Sequence, residues 1–288
     1  MQNMEKPVKR VLLTVAYDGS AYHGWQIQPN GDTIEAQLNT HLSALCGEPI
    51  AVTGASRTDA GVHALCNLAV FDTHARMPAE KFCYALNQRL PEDIRIQKSE
   101  EVAPDFHPRK IKTRKTYEYK IYNAQFQNPV HRLYSYFTYA SLDVEKMRRA
   151  ASYLIGEHDF FSLSTYKPEV ESTVRTIYEI EVLVEPMGYA GAGLAEGSGT
   201  EQEKRSSEGT AENIGCKMPQ MITIRVTGNG FLYNMVRIIA GTLLEVGRGR
   251  ISLDAIPSII EARDRQLAGP TAPACGLTLV YYEIEKAE

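Results

Sequence analysis

The sequence predicts an α+β protein of two similar lobes. Three observations lead there. Each half of the chain runs strand, helix, strands. The 288 residues are 43% hydrophobic, enough to bury one large core or two moderate ones. A stretch at about 186–220, rich in Gly, Ala, Ser and Glu with almost no large apolar side chain, interrupts the second half without the makings of a core of its own. The expected division is an N-terminal lobe of residues 1–107 and a C-terminal lobe of residues 108–288 that carries the interruption as a flexible insertion in a hairpin.

Taken in order, residues 8–17 (VKRVLLTVAY) are apolar and β-rich and read as a strand. A wet loop containing Tyr22, His23, Trp25 and Pro29 follows. Ile34, Leu38, Leu42 and Leu45 then recur at helical spacing, with Asp32 as the expected N-cap, Glu35 three residues on and Gly47 as the stop. Residues 50–52 and 65–71 are strand-like runs on either side of a polar loop, 54–63. A helix is expected from Pro78 to Leu90, and a strand over 93–102 leads out to Phe106, His107 and Pro108. In the second half, 116–122 alternates with period two as a half-buried strand does, and 134–139 is a further strand. Val144, Met147, Ala151 and Leu154 share one face of a helix over 142–155, and 156–161 reads as a loop. Strands at 174–184 and 221–226, helices at 231–246 and 253–263, and a closing strand at 276–284 complete the chain.

Composition narrows the function classes. No apolar run approaches the roughly 20 residues that cross a bilayer, and the first residues lack a signal-peptide core, so a cytoplasmic protein that is not exported is expected. Five cysteines without a C-x-x-C pair argue against a disulfide framework and a zinc site. His63, His107 and His158 lack metal-ligand spacing, and there is no phosphate-binding glycine loop, so neither a metal nor a nucleotide cofactor is expected. A net charge of -4 does not itself point to nucleic acid, although the local field is what decides binding.

The chemistry concentrates in residues 54–63, GASRTDAGVH, where one carboxylate stands between a guanidinium and an imidazole. Asp59 beside Ala-Gly is, in isolation, most often a turn residue capping its own backbone. Its company changes that. Arg57 is two residues away, and Arg237 sits in an apolar Met-Val-Arg-Ile-Ile run, where a buried arginine needs an acidic partner. An aspartate held near a guanidinium stays ionised against the push of desolvation and can act as nucleophile or base. Between Arg109 and Lys120 six basic residues face one acid, Glu118, with Tyr117, Tyr119 and Tyr122 interleaved. That pattern fits a solvated strand edge and a grip for an unstacked base equally well.

With these residues assembled, the chain resembles the tRNA pseudouridine synthase A family almost end to end. The shared blocks are Y-D-G-S-x-Y-x-G-W-Q at 17–26, S-R-T-D-A-G-V-H-A at 56–64, A-L-N-x-x-L-P-x-D-I at 85–94, F-H-P-R at 106–109 and K-T-Y-E-Y-K-I at 115–121. They continue with L-x-G-E-H-D-F at 154–160, G-N-G-F-L-x-x-M-V-R at 228–237, G-T-L-L-E-V-G at 241–247 and A-G-P-T-A-P-A-C-G-L at 268–277. Ala55-Ser56, Pro108, Cys66-Asn67 and the long 186–220 insertion depart from the family pattern. The resemblance implies a mixed, mostly antiparallel sheet flanked by helices, with the active-site cleft between the lobes. It implies isomerisation of uridine to pseudouridine at positions 38, 39 and 40 of the tRNA anticodon stem-loop, without cofactor, by a homodimer that binds neither DNA nor membrane. It also carries roles over to residues. Asp59 matches the catalytic aspartate, Tyr117 the residue that stacks on the flipped uracil, and Arg237 its ion-pair partner. Arg57 matches a residue that helps extrude the base or fills its place, and Leu277 one that lines the pocket. His63 is left without chemistry and reads as structural.

Overall fold

The computed structural model describes residues 8–168, 170–187 and 218–284. Strand β1 (Lys9–Tyr17) buries Val11, Leu13 and Val15 completely, as its alternating pattern requires. It pairs antiparallel with β3 (His63–Thr73) on one side and β4 (Ile94–Val102) on the other. In the second half β9 (Gln220–Gly228) lies between β5 (Thr113–Asn123) and β8 (Val174–Pro186), again antiparallel to both. The two halves therefore repeat one arrangement, a central strand with two antiparallel neighbours.

The last strand, β10 (Leu277–Ile284), joins them. It runs parallel to β3 and antiparallel to β5, giving one sheet in the order β4, β1, β3, β10, β5, β9, β8. Short strands β2 (Thr53–Gly54) and β6 (Tyr136–Thr138) add to β3 and β5, and β7 (Gly156–Asp159) extends the edge beyond β8. The mixed, mostly antiparallel sheet is the one expected. One continuous core packs its strands against helices α1 (Ile34–Cys46), α2 (Phe82–Asn87), α3 (Val144–Ser152), α4 (Met235–Gly247) and α5 (Ala255–Ala262). Among the described residues no helix is long and apolar enough to cross a membrane.

Several local expectations need correction. The N-cap of α1 is Thr33, whose hydroxyl accepts from Ala36 N, rather than Asp32. The Asp32 carboxylate instead accepts from Thr33 N and Gln37 Nε2. The helix expected over 78–90 is a 3-10 turn at Ala79–Lys81 followed by the six residues of α2. Residues 134–139 supply only the three residues of β6, and 156–159 form a strand rather than a loop. Helix α4 begins at Met235 because Asn234, at φ 61°, is left-handed and cannot continue a helix from Phe231. The strands flanking the insertion pair as far as Pro186 with Gln220, and Met187 N donates to Pro219 O at 2.8 Å, so a hairpin stem leads to it. Residues 188–217 of the insertion, and with them its expected flexibility, lie outside the described residues.

Candidate active site

The Asp59 loop is held from three sides. Trp25 N donates to Thr58 O at 3.0 Å, Gly61 N to Tyr22 O, and the Tyr17 hydroxyl is 2.7 Å from Thr58 Oγ1. Asn67 on β3 donates through Nδ2 to Ser56 O at 2.9 Å and accepts from Ser56 N at 3.2 Å, a two-point clasp on the loop's entry. Gly24 allows the close approach: at φ +87° a Cβ there would stand 2.6 Å from Thr58 O. Val62 N donates to Asp59 O, closing the turn that Asp-Ala-Gly suggests, with Gly61 at φ +78°. The turn and the chemistry are therefore not alternatives, since the backbone of Asp59 makes the turn while its carboxylate is free to face a cleft.

That carboxylate meets Arg237. Arg237 Nη1 donates to Asp59 Oδ2 at 3.1 Å, and both side chains are 18% exposed. Burial pushes the Asp59 carboxyl above its ordinary range, opposed by Arg237 and then by Lys167. Arg237 lies in the first turn of α4 and is locked there. Its Nη1 also donates to Asn234 Oδ1 at 3.0 Å, its Nε donates to Ala272 O at 2.8 Å, and its carbonyl accepts from Ala272 N. The guanidinium can thus hold the carboxylate in one rotamer without moving itself.

A cleft of about 480 Å³ opens beside the pair, a size that suits a nucleoside. Asp59, Arg57, Tyr117, Arg237 and Leu277, drawn from a loop, two strands and a helix, all line it. Tyr117 on β5 is 9% exposed and packs edge-on against Phe231, with ring centroids 5.2 Å apart. Burial raises its hydroxyl pKa, so at neutral pH it offers an uncharged ring and an O–H. Leu277, 6% exposed, opens β10, and Arg57 is exposed at the mouth.

Of the other lining residues, Arg109 and Lys115 belong to the basic run noted in the sequence, whereas Lys167 and Arg175 were not singled out. Phe231 sits in the G-N-G-F block, while Lys167 places its ammonium 3.8 Å from the Tyr233 ring centre. Arg109, Lys115 and Arg175 supply further charge. The strand's own alternation divides the basic run of 109–120. Lys115 shares the cleft with Tyr117, whereas Lys120 on the other face lies 3.7 Å from Glu118, and Arg114 packs on the Tyr178 ring. His63 stands outside the cleft. Its Nδ1 lies 3.1 Å from both Gly19 N and Asp18 Oδ1, its Nε2 is 3.1 Å from Leu133 O, and its ring packs on Tyr134, whose hydroxyl donates to Asp18.

A sequence profile of the family described as tRNA pseudouridine synthase matches residues 13–109 and 150–283. The chain belongs to this family. Curated relatives agree along nearly their whole length. A tRNA pseudouridine synthase A of Ruminiclostridium cellulolyticum is 44% identical over 277 residues, 96% of this chain and 100% of the relative. The one from Acetivibrio thermocellus is 42% identical with the same coverage, and that of Bacillus subtilis 40% identical over 95% of this chain and 99% of its own. The profile's two segments contain the Asp59 loop, Arg237 and Leu277, while Tyr117 falls in the stretch between them.

Proposed function

We propose that the protein is an isomerase that converts uridine to pseudouridine in tRNA, at positions 38, 39 and 40 of the anticodon stem-loop, with Asp59 as its nucleophile. The observation that carries this reading is a single carboxylate, fixed by Arg237 and facing a nucleoside-sized cleft beside a buried tyrosine ring, in a chain of this family. The reaction breaks the N1–C1′ bond of uridine, turns the uracil and joins C5 to C1′, and the C5 proton leaves to solvent. It is redox-neutral and demands no cofactor.

The residues divide that work. A stem-loop uridine first leaves its stack, at a cost of a few kcal/mol. The Tyr117 ring, held edge-on by Phe231, offers the base a stacking surface inside the cleft, with Leu277 as an apolar wall. Arg57, at the mouth, is placed to help extrude the base or fill the gap it leaves. Asp59 attacks either C1′ or the pyrimidine ring, or assists glycal formation, and Arg237 opposes its protonation and keeps it aimed through each. The protein works in the cytoplasm as a homodimer whose two chains share one tRNA.

The test is tRNA labelled with tritium at uracil C5. Tritium release without free uracil is the expected result, and free uracil would instead identify a nucleoside hydrolase. Asp59→Ala is expected to abolish release while tRNA affinity stays within about twofold of wild type, since a lost nucleophile removes a step and not the binding surface. Retained turnover would end the nucleophile assignment.

A further inference from the structure

The cleft wall carries more positive charge than the chemistry of Asp59 uses. Five cations line it, Arg57, Arg109, Lys115, Lys167 and Arg175, in addition to Arg237, and Asp59 is the lone carboxylate among the lining residues. Arg237 takes that carboxylate. Arg109, Lys115 and Arg175 have no carboxylate within ion-pair distance among the described residues, although the chain as a whole is acidic. Like charges packed together without an anion raise one another's cost. Burial pulls Lys115 down to about 8, with Arg109 and Arg175 adding to the effect, and Arg109 and Arg175 are themselves lowered by burial. A fold that tolerates such a group without a partner is arranged for one that arrives with the ligand.

The three side chains are also built into place. Arg109 Nε donates to Gly54 O at 2.7 Å, tying it to the entry of the Asp59 loop. Arg175 Nη1 donates to Ser172 O at 2.9 Å and to Val174 O at 2.5 Å, and among the described residues its Nε and Nη2 have no protein acceptor. Lys115 stands on β5 two residues before Tyr117, opposite Gly228 of β9, which has no side chain to compete for the space. On its other side the ladder between β5 and β10 slips between Leu279 and Tyr281, so that Tyr282 rather than Tyr281 comes opposite Lys115. The Lys115 ammonium lies 5.0 Å from the centre of the Tyr282 ring, and the Tyr282 hydroxyl donates to Pro108 O, next to Arg109. An irregularity in the sheet thus aims an aromatic platform at this one lysine.

We propose that Arg109, Lys115 and Arg175 form a seat for a backbone phosphate flanking the target uridine, which registers the RNA strand so that the flipped base reaches Tyr117 and Asp59. The inference rests on the tRNA reading above. Lys115 is a positioning residue: two positions along the strand from Tyr117, it fixes how far the sugar-phosphate chain enters. The phosphodiester is the fitting anion because it is singly charged, tolerates several donors and is carried by every nucleotide of the substrate. The groups around Lys115 are Arg109 from the preceding loop, Arg175 from β8, Tyr282 from β10 and Tyr117 on its own strand. None supplies a negative charge at neutral pH, so the phosphate does.

The experiment is a cycle between protein and RNA. Stem-loop RNAs carry a neutral methylphosphonate at the phosphate 5′ or 3′ of the target uridine, and dissociation constants are measured with wild type and Lys115→Met, which keeps an unbranched chain over Tyr282. Lys115→Met is expected to weaken binding of unmodified RNA about tenfold and to lower the salt slope by about one. At one of the two positions, the methylphosphonate is expected to weaken binding to wild type but not to the variant. Losses that multiply at both positions overturn the proposal. Arg175→Met is expected to repeat the coupling at the same phosphate, which guards against a folding defect peculiar to position 115. Wild-type affinity should also fall between pH 7 and 9 as Lys115 loses its proton, and Lys115→Arg should flatten that fall; equal falls in both proteins overturn it. Failure of the tRNA reading would show separately, as absence of pseudouridine in RNA incubated with wild type.

Discussion

At the scale of single residues, the proposed role of Asp59 makes its pairing with Arg237 set where the enzyme can work. The Asp59 carboxyl titrates above its ordinary range because burial outweighs Arg237. Below that raised value it is protonated and cannot attack, so the acid limb of the activity profile belongs above the ordinary aspartate pKa of about 3.8. Arg237 acts in the opposite direction. Removing its charge in Arg237→Gln therefore moves the acid limb to higher pH, and is expected to lower kcat by about two orders of magnitude through lost positioning. The check is a kcat/KM profile from pH 5 to 8 for both proteins; an unmoved limb would mean that another group titrates. What made Arg237 conspicuous in the sequence was its apolar setting, which demands a buried partner. The residue pattern did not say which acid that is, because the partners lie 178 positions apart and only the fold brings them together. Lys115 was less legible still, since its lowered pKa comes from burial, with Arg109 and Arg175 adding to it, and burial is set by the fold.

At the scale of elements, the 54–62 loop depends on the turn at 19–25 that grips it. Gly24→Ala is expected to test that dependence, since it forces an L side chain to φ +87° with its Cβ 2.6 Å from Thr58 O. We expect a loss of about 1–3 kcal/mol in stability, and a fall in kcat larger than any change in KM, because the displaced loop carries the proposed nucleophile. Gly47→Ala is the control. It also carries a positive φ, +70°, but its Cβ meets open space at the end of α1, so a stability loss of about 1 kcal/mol with unchanged kcat is expected. Thermal melts and tritium release on the three proteins decide it. The Y-x-G-W-Q block was visible in the sequence, but its service to a loop some 35 residues later rests on hydrogen bonds between backbones, which leave no periodic trace. Element ends were misjudged for a related reason. Asp32 and Thr33 are both good caps, and Asp32 is drawn away from the cap by Gln37, whose Nε2 donates to its carboxylate. The sheet itself was more legible, because its strands bury alternate apolar residues and this is the pattern that sequence reports directly.

At the scale of the whole molecule, β10 determines whether the two halves behave as one. The N-terminal trio β4, β1, β3 and the C-terminal trio β5, β9, β8 meet in the sheet only through this last strand, and the cleft draws Asp59 from one side, Tyr117 and Arg237 from the other. The core is continuous across the junction. If β10 couples the halves, urea unfolding is a single transition, and the one tryptophan, Trp25, fully buried in the N-terminal half, reports it at the same midpoint as far-UV circular dichroism. Leu279 is the lever, being wholly buried in β10 between Ala64 of β3 and Tyr117 of β5. Leu279→Ala is expected to cost about 2–5 kcal/mol and to shift both signals together. Should the dichroism midpoint fall while that of Trp25 fluorescence stays put, the halves would be separately folding lobes joined at an interface. Coincident shifts would mean that a contact formed last along the chain holds the Asp59 carboxylate of the first half against the arginine of the second.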